Sequence, residues 1–315
     1  MTGLTIGFLL ALGSATCWAV LDVARKQLGR GMTAMAAVAA MMLFNVPILL
    51  PMLIAGELLG ADAPQEGLLT LVLSGFPSIS LAYLLPALAS VTLNLFANYL
   101  FLRSVQLSPL SLTAPYLAFT PVFTALVALV TIGEVPTNWG WAGILVVCVG
   151  AFCMNPGDSA HGVLAPLKAL WSERGSFYML IVALLWSFTP VLDKAASGVS
   201  SPTWHTLFLA ACVGVLFAGA CIVRDGGAGK LWEETRAVPA LLFACAFLAV
   251  GAMILQLGSY DYIDVAYVET VKRALGVTIA ILAGYFLFGE RDIWRRLFGA
   301  AVMCIGVAMI LMGAG

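Results

Sequence analysis

Three ionisable residues lie close together in an otherwise apolar stretch near the C-terminal end of the chain. The stretch covers residues 265–290, and the three residues are Glu269, Lys272 and Arg273. A charged residue at the centre of a membrane-spanning helix costs about 2.5–3.5 kcal/mol on insertion scales, so a helix that keeps one usually directs it at a partner, a cavity or a substrate. The two cations could pair with a carboxylate or phosphate, and the acid could balance charge or accept a proton.

A second interpretation of this charged segment is structural. Glu269 and Arg273 are four positions apart, in the order that favours an ion pair within a helix, and such a pair would only fix packing. It would leave Lys272 as an unpaired cation. The sequence therefore favours a binding role for the segment.

Two other stretches each place an aromatic residue, an acid and a lysine on one helical face, because spacings of three to four positions and their multiples stack residues along a helix. The residues are Trp18, Asp22, Arg25 and Lys26 in the first stretch, and Trp186, Pro190, Asp193 and Lys194 in the second. The lysines could neutralise an anionic substrate group, and the aromatic rings could form an apolar wall. Alternatively, the charged residues extend to water at the helix ends, or Asp193 and Lys194 pair with each other.

Polar residues also follow a four-residue spacing in the third long apolar run. Ser90, Asn94 and Asn98 form this stripe, and Tyr99 lies beside it. Polar side chains in a spanning helix need partners inside the helix bundle. The stripe therefore either lines a hydrophilic cavity or makes hydrogen bonds between helices.

Two prolines, Pro115 and Pro121, interrupt the fourth apolar run and enclose Tyr116 and Thr120. Each proline removes a backbone hydrogen bond, so the run is predicted to kink or break. Freed carbonyl groups at membrane depth are tolerated mainly where protein or a water-filled cavity satisfies them. This run is therefore a further candidate part of a binding site, in which Tyr116 would stack on the organic part of a substrate.

The residues that could support catalysis or metal binding do not form a recognisable pattern. His161 and His205 are far apart, and the seven cysteines lie in apolar runs without paired or metal-like spacing. The sequence therefore predicts neither an enzyme, nor a metal site, nor a bound cofactor. His205 is either a proton relay or a hydrogen-bonded structural residue, and Asp22, His205 and Glu269 are the candidates for proton coupling.

The composition places these residues in a polytopic membrane protein. The 315 residues are 62% hydrophobic and 10% charged, and the mean hydropathy is +1.03, whereas a soluble domain is about 45–50% apolar and about 25% charged. The net charge of −1 gives no indication of nucleic-acid binding. The lipid bilayer is therefore the expected environment.

Ten apolar runs are long enough to cross a bilayer as helices. They cover residues 4–26, 32–54, 81–103, 109–132, 138–155, 176–195, 203–223, 238–260, 265–288 and 294–312. The apolar piece 68–75 is too short to span and is predicted to be an interfacial segment or an extension of the third helix. The sequence thus predicts an all-α integral membrane fold.

The ten helices form two related halves. Shifting the fourth and fifth helices by 156 positions superimposes five small or acidic residues on the ninth and tenth: Gly133, Glu134, Gly143, Cys148 and Gly150 meet Gly289, Glu290, Gly299, Cys304 and Gly306. The two Gly-Glu pairs are expected to cap helices or hold the turns that follow. The predicted domains are a first five-helix repeat (1–155), a linker (156–175) and a second five-helix repeat (176–315). Because five is odd, the two repeats are inverted, as in many transporters.

The charge distribution predicts the orientation of the chain. Twelve lysine and arginine residues lie on the side of the membrane that follows the odd-numbered helices, and only Lys194, Lys272 and Arg273 lie towards the other. Since positive residues concentrate in the cytoplasm, both termini are predicted to lie outside it, in a bacterial-type inner membrane.

Three segments of the chain resemble the drug/metabolite transporter superfamily, EamA type: SLTAPYLAFTPVFTALVALVTIGE (111–134), TNWGWAGILVVCVG (137–150) and ETVKRALGVTIAILAGYFLFGE (269–290). The resemblance covers almost the whole chain. It implies transport of small metabolites, often export, through a central cavity lined by the first, third, fourth, sixth, eighth and ninth helices. The chain departs from the family where a Val-Lys-Arg run replaces a usual proline, and family members often have cytoplasmic termini.

The sequence thus predicts a secondary transporter that moves a small anionic or zwitterionic metabolite by alternating access, as an exporter or an exchanger coupled to a proton or counter-substrate. Its substrate would lie near the membrane midplane between the repeats. The predicted binding residues are Trp18, Asp22, Lys26, Asn94, Asn98, Tyr116, Trp186, Lys194, Glu269, Lys272 and Arg273. The alternatives are a flippase for a lipid-linked substrate on the same fold and a lipid-modifying membrane enzyme.

Overall fold

The fold is almost entirely helical. The structure, a computed structural model, describes residues 3–28, 31–60, 68–107, 114–154, 173–224, 226–288 and 294–313. Within these ranges there are twelve α-helices and no strand. The predicted linker 156–175 lies mostly outside the described residues.

The helices are α1 (Gly3–Leu28), α2 (Ala34–Leu59), α3 (Leu68–Val72), α4 (Leu81–Leu107), α5 (Thr120–Thr131), α6 (Asn138–Met154), α7 (Arg174–Gly198), α8 (Pro202–Arg224), α9 (Gly227–Ala237), α10 (Pro239–Ser259), α11 (Val265–Phe288) and α12 (Trp294–Gly313), with a 3₁₀ helix (Ala114–Phe119) before α5. Each of the ten predicted spans overlaps one helix, and the fourth overlaps the shorter α5. This agreement has a physical basis, because a segment in lipid must satisfy its backbone groups within itself.

Six of the described helices are long and apolar enough to cross a membrane, namely α1, α2, α4, α7, α8 and α10. Shorter apolar helices cover Thr120–Thr131, Asn138–Gly150 and Phe298–Gly313. The chain is therefore a multi-pass membrane protein, as its composition predicts.

The prolines of the fourth predicted span break it. Residues Ala114–Phe119 form a 3₁₀ helix, and the α-helix proper begins at Thr120 with Pro121 in its first turn. Proline is tolerated there because the first turn of an α-helix has no internal partner for its N–H groups. The predicted interruption is therefore confirmed.

Two short helices lie outside the ten spans. Helix α3 is a separate five-residue element, and the hydroxyl of Thr203 donates to the Leu71 carbonyl at 2.7 Å. It is too short to span, as predicted, but it is not an extension of α4. The sequence did not indicate α9, because its residues are largely polar and none is buried. Glu234 of α9 accepts hydrogen bonds from the N–H (2.9 Å) and hydroxyl (3.2 Å) of Thr33.

Helices α6 and α12 cross at four glycines that match between the repeats. A Cβ added to Gly143 would lie 2.5 Å from the Gly306 carbonyl oxygen, and a Cβ added to Gly150 would lie 2.8 Å from that of Gly299. The two helices are antiparallel here, since Gly143 pairs with Gly306 and Gly150 with Gly299. In the repeat, Gly143 corresponds to Gly299 and Gly150 to Gly306. Each glycine of α6 therefore contacts the repeat counterpart of the other glycine of α6. Such reciprocal contacts are what a two-fold relation between two copies requires.

The chain divides into two compact units. The first unit is 1–12, 92–192 and 259–315, and the second is 13–91 and 193–258. The core of the first unit includes Met303 against Val147, and Tyr116 against Met179. The second unit packs α1, α2 and α10 around residues such as Leu21. Both units combine segments from the two sequence repeats.

Candidate functional site

The turn between α5 and α6 holds the start of α11, the helix that carries the charged segment. Gly133 ends α5 with a positive φ of 73°, a conformation that glycine adopts without strain. The next residue, Glu134, accepts the backbone N–H of Val265 at 2.9 Å, and Thr137 N–H donates to the hydroxyl of Tyr267 at 3.0 Å. The predicted capping role of Glu134 is confirmed, but the helix that it caps is α11.

Glu134→Ala is expected to lower the free energy of unfolding by about 1 kcal/mol, since it removes a capping acceptor and a negative charge from the positive end of a helix. Glu134→Gln keeps an acceptor and should cost less. Thermal unfolding of the purified protein measures both. The control is Glu233→Ala, because Glu233 is exposed and pairs with the exposed Arg236. Equal unfolding midpoints for Glu134→Ala and the control would contradict this role.

The charged segment of α11 contains an ion pair between Lys272 and Glu269, which the sequence did not predict. The Lys272 Nζ atom lies 2.6 Å from Glu269 Oε1, and Glu269 is buried with 4% of its side chain exposed. The prediction of an unpaired Lys272 is therefore wrong. Positions three apart on a helix approach as closely as positions four apart, so Lys272 reaches the buried Glu269 carboxylate.

Arg273 reaches the point where the fourth span is broken. Its Nη2 atom lies 3.5 Å from the Thr120 hydroxyl oxygen, and that hydroxyl donates to the Leu117 carbonyl at 2.8 Å. Thr120 is the first residue of α5 and directly follows the 3₁₀ segment Ala114–Phe119. Arg273 thus lies at the junction of the 3₁₀ segment and α5, while Lys272 pairs with Glu269 on the same helix.

The other predicted residues of the first unit have mainly packing roles. Tyr116 is 1% exposed and packs against Met179 and Val182. The Trp186 ring lies 5.7 Å from that of Phe101.

The polar stripe of α4 does not act as one surface. The side-chain amide of Asn98 donates to the backbone carbonyl of Asn94 at 2.7 Å, one turn earlier in the same helix. Ser90 donates instead to Asp193 of α7. For Ser90, the expectation of hydrogen bonding between helices is confirmed.

In the second unit, Trp18, Asp22 and Arg25, which were predicted to share one face of α1, lie close together. The Trp18 indole donates to Gln256 Oε1 at 2.8 Å, and the Arg25 guanidinium lies 5.4 Å from the centre of the Trp18 ring. Arg25 also pairs with Asp22 at 3.1 Å, and the Asp22 side chain is 65% exposed. The Lys26 side chain lies outside the described residues. This face therefore combines an aromatic ring with a balanced ion pair.

The second unit also contains a buried polar cluster that joins α4, α7 and α8. The Ser90 hydroxyl donates to Asp193 Oδ1 at 2.5 Å, and His205 Nε2 lies 3.1 Å from the same oxygen. The predicted Asp193–Lys194 pair is wrong, because adjacent residues on a helix point in different directions and Asp193 turns towards α4 and α8. Each of the three residues is a polar residue in an apolar run, a pattern that marks it as a candidate for a buried polar contact. Only the packing of the helices shows that Ser90 and His205 both contact Asp193.

The model of the EamA-like transporter family matches residues 5–155 and 173–312. The chain belongs to the EamA-like transporter family. The resemblance in the sequence is thereby confirmed, and the chain is a membrane transporter of the drug/metabolite transporter superfamily.

The fold of this EamA-like transporter also occurs in solved structures. One of them, titled "Crystal structure of protein", has a TM-score of 0.66 and 14% sequence identity, and the match covers 99% of this chain and 97% of that chain. At this identity the likeness shows the fold alone. A comparison with the curated proteins finds no match.

Among the described residues of this EamA-like transporter, no group of three or more histidine, cysteine, aspartate or glutamate side chains comes together to hold a metal ion. Its candidate functional residues therefore form three sets: the charged segment of α11 with the break before α5, the α1 face around Trp18, and the buried Ser90–Asp193–His205 cluster.

Proposed function

We propose that this EamA-like transporter is a secondary transporter that moves a small anionic or zwitterionic metabolite by alternating access, as an exporter or an exchanger. The observation that supports this proposal is the position of Arg273 at the broken helix before α5. Interrupted helices recur at the substrate sites of secondary transporters, where helix N-termini point at anionic groups. Here the Arg273 guanidinium lies at the junction of the 3₁₀ segment and α5, where it supplies positive charge for such a group.

The chemistry of the charged segment indicates the class of substrate. A carboxylate or phosphate would pair with Arg273 and Lys272, since arginine can bind both oxygens of such a group at once. Glu269 would balance Lys272 in the absence of substrate and would attract the ammonium group of a zwitterion. The two cations and one acid thus favour a substrate with at least one negative charge.

The remaining exposed or partly buried predicted residues of the first unit, Asn94, Asn98 and Trp186, are proposed as secondary contacts of the substrate. We further propose a location in the inner membrane, with both termini outside the cytoplasm, on the basis of the charge distribution.

The first experiment identifies the substrate class. Purified protein is heated with a panel of probes: dicarboxylates, sugar phosphates, zwitterionic amino acids and cationic amines. Because a ligand of the native state stabilises it by about 2.7 kcal/mol at a hundred times its dissociation constant, a substrate raises the unfolding temperature. The proposal expects a hit among the anions or zwitterions. Stabilisation by cationic amines alone would contradict it.

Lys272→Met is expected to reduce uptake of the stabilising anion into proteoliposomes by at least about tenfold, because a charge-assisted hydrogen bond contributes about 1.5–3 kcal/mol. The single change also leaves the buried Glu269 carboxylate without its cation, which is destabilising by itself. Uptake is therefore measured alongside thermal unfolding.

The matched control is the double variant Glu269→Gln/Lys272→Met, which removes both charges and so leaves no unpaired ion. If Lys272 binds substrate, the double variant folds well and still does not transport. Recovery of transport in the double variant would show that Lys272 serves only to balance Glu269.

A further inference from the structure

The carboxylate of Asp193 differs from the other predicted acidic residues in the nature of its partners. Asp22 pairs with Arg25, and Glu269 pairs with Lys272. The partners of Asp193 are a serine hydroxyl and a histidine ring. Its charge is therefore balanced by a cation only when His205 is protonated.

We propose that Asp193 and His205 form a proton-binding site. For its role in coupling, this inference rests on the proposed secondary transport; proton binding itself does not depend on that proposal. Of the three proton-coupling candidates indicated by the sequence, this proposal keeps His205, with Asp193 as its partner. It does not use Asp22 or Glu269.

The hydrogen bonds define where the proton binds. An ionised carboxylate only accepts hydrogen bonds, so with Asp193 ionised the hydrogen at 3.1 Å belongs to His205 Nε2. The neutral ring then has a lone pair on Nδ1. That atom is buried and has no hydrogen-bond partner among the residues that the structure describes. A proton from a hydronium ion forms the Nδ1–H bond and leaves water behind, and release reverses the step.

Burial provides the driving force for proton uptake. The His205 side chain is 0% exposed and that of Asp193 is 7% exposed. With a neutral imidazole the pair carries a net charge of −1, and an isolated buried charge is strongly unfavourable. One added proton brings the pair to zero net charge. The Ser90 hydroxyl weakly opposes this step, because its hydrogen points at the pair and reduces the negative potential that attracts the added proton.

Within the part of the chain that the structure describes, Asp193 and His205 make no ion pair with a lysine or arginine. Tyr83 of α4 presents its ring at a centroid distance of 5.9 Å and 89° to the His205 ring, and Cys212 of α8 lies near Tyr83. Both are neutral in neutral solution. Lys194 follows Asp193 on α7, but the Asp193 carboxylate is directed at Ser90 and His205. Proton exchange takes place in a conformation that admits water, since the pair is buried here.

The test uses the full chain in lipid nanodiscs. His161→Gln leaves His205 as the single histidine, since the sequence contains two. NMR of ¹⁵N-labelled histidine then reports neutral imidazole and imidazolium directly between about pH 5 and about pH 8. In the wild-type cluster the neutral His205 signal is expected to convert to an imidazolium signal as acid is added. Adding Asp193→Asn should raise the proton concentration needed by about tenfold or more, because the neighbouring carboxylate is lost.

Ser90→Ala provides the opposite test and a second variant should Asp193→Asn fail to fold. It removes a hydroxyl dipole whose positive end faces the pair, so the negative potential at His205 increases and the pair should become protonated at a slightly lower proton concentration than in wild type. A His205 signal that stays neutral throughout, or a titration that neither change moves, would overturn the proposal. The NMR titration needs no substrate, so it tests the proton site independently of transport. A failure of the proton site can therefore be distinguished from a failure of the transport proposal.

Discussion

Gly306→Ala is expected to destabilise the protein by about 1–3 kcal/mol, the range found when atoms are added to a fully packed contact. The added Cβ would lie 2.6 Å from the Gly143 carbonyl oxygen and 2.9 Å from the Val147 nitrogen. Both are backbone atoms, so no side chain can rotate away and the two helices must separate. Thermal unfolding of purified protein in detergent measures the loss, and Gly143→Ala should show a loss of similar size.

The matched control for this packing prediction is Gly219→Ala in α8. A Cβ at Gly219 meets nothing within 4 Å. Because alanine forms helices better than glycine by about 1 kcal/mol, this change should be neutral or stabilising. If Gly306→Ala unfolded at the same temperature as Gly219→Ala, the α6–α12 contact would not depend on glycine.

Arg273→Met is expected to weaken binding of the anionic substrate by about 30-fold or more. Removing one partner of a desolvated charge pair costs about 2–5 kcal/mol, and about 1.4 kcal/mol corresponds to tenfold in affinity. The dissociation constant is obtained by titrating the stabilising metabolite from the thermal screen, and uptake is measured in proteoliposomes. Arg273→Lys keeps the charge but loses the planar fork of donors, so it should recover only part of the affinity.

Arg236→Met is the control for Arg273. Arg236 lies on α9, is 61% exposed and pairs at 3.7 Å with the exposed Glu233, so its loss should leave affinity unchanged. A structural role for Arg273 predicts a different result: lower thermal stability with an unchanged dissociation constant. That outcome would remove Arg273 from the proposed substrate site.

Several features of this transporter could be predicted from the sequence because they are determined locally. A membrane-spanning segment satisfies its backbone within one helix, so apolar runs alone locate the ten helices. Pro115 and Pro121 act on their own helix, which is why the break before α5 was predictable. The glycines at a constant offset of 156 positions indicated the repeat before any contact between α6 and α12 was known.

Features that depend on two distant segments were decided only by the tertiary structure. The sequence paired Asp193 with its neighbour Lys194, whereas the fold brings it to Ser90, 103 positions away, and to His205. It left Lys272 unpaired, and it gave no sign that Arg273 meets Thr120 of the broken helix. Helix α9 could not be predicted from apolar runs, because its residues are largely polar.

The physical reason lies in the range of the interactions. Helix formation is set by hydrogen bonds between residues four positions apart and by the apolar content of one segment, both of which can be read along the chain. The partner of a buried charge is set by the crossing of helices that are distant in sequence, and several partners satisfy the same spacing. For this protein the sequence by itself therefore determines the membrane fold, its repeat and its family. The tertiary structure decides which carboxylate faces a cation and which faces a histidine.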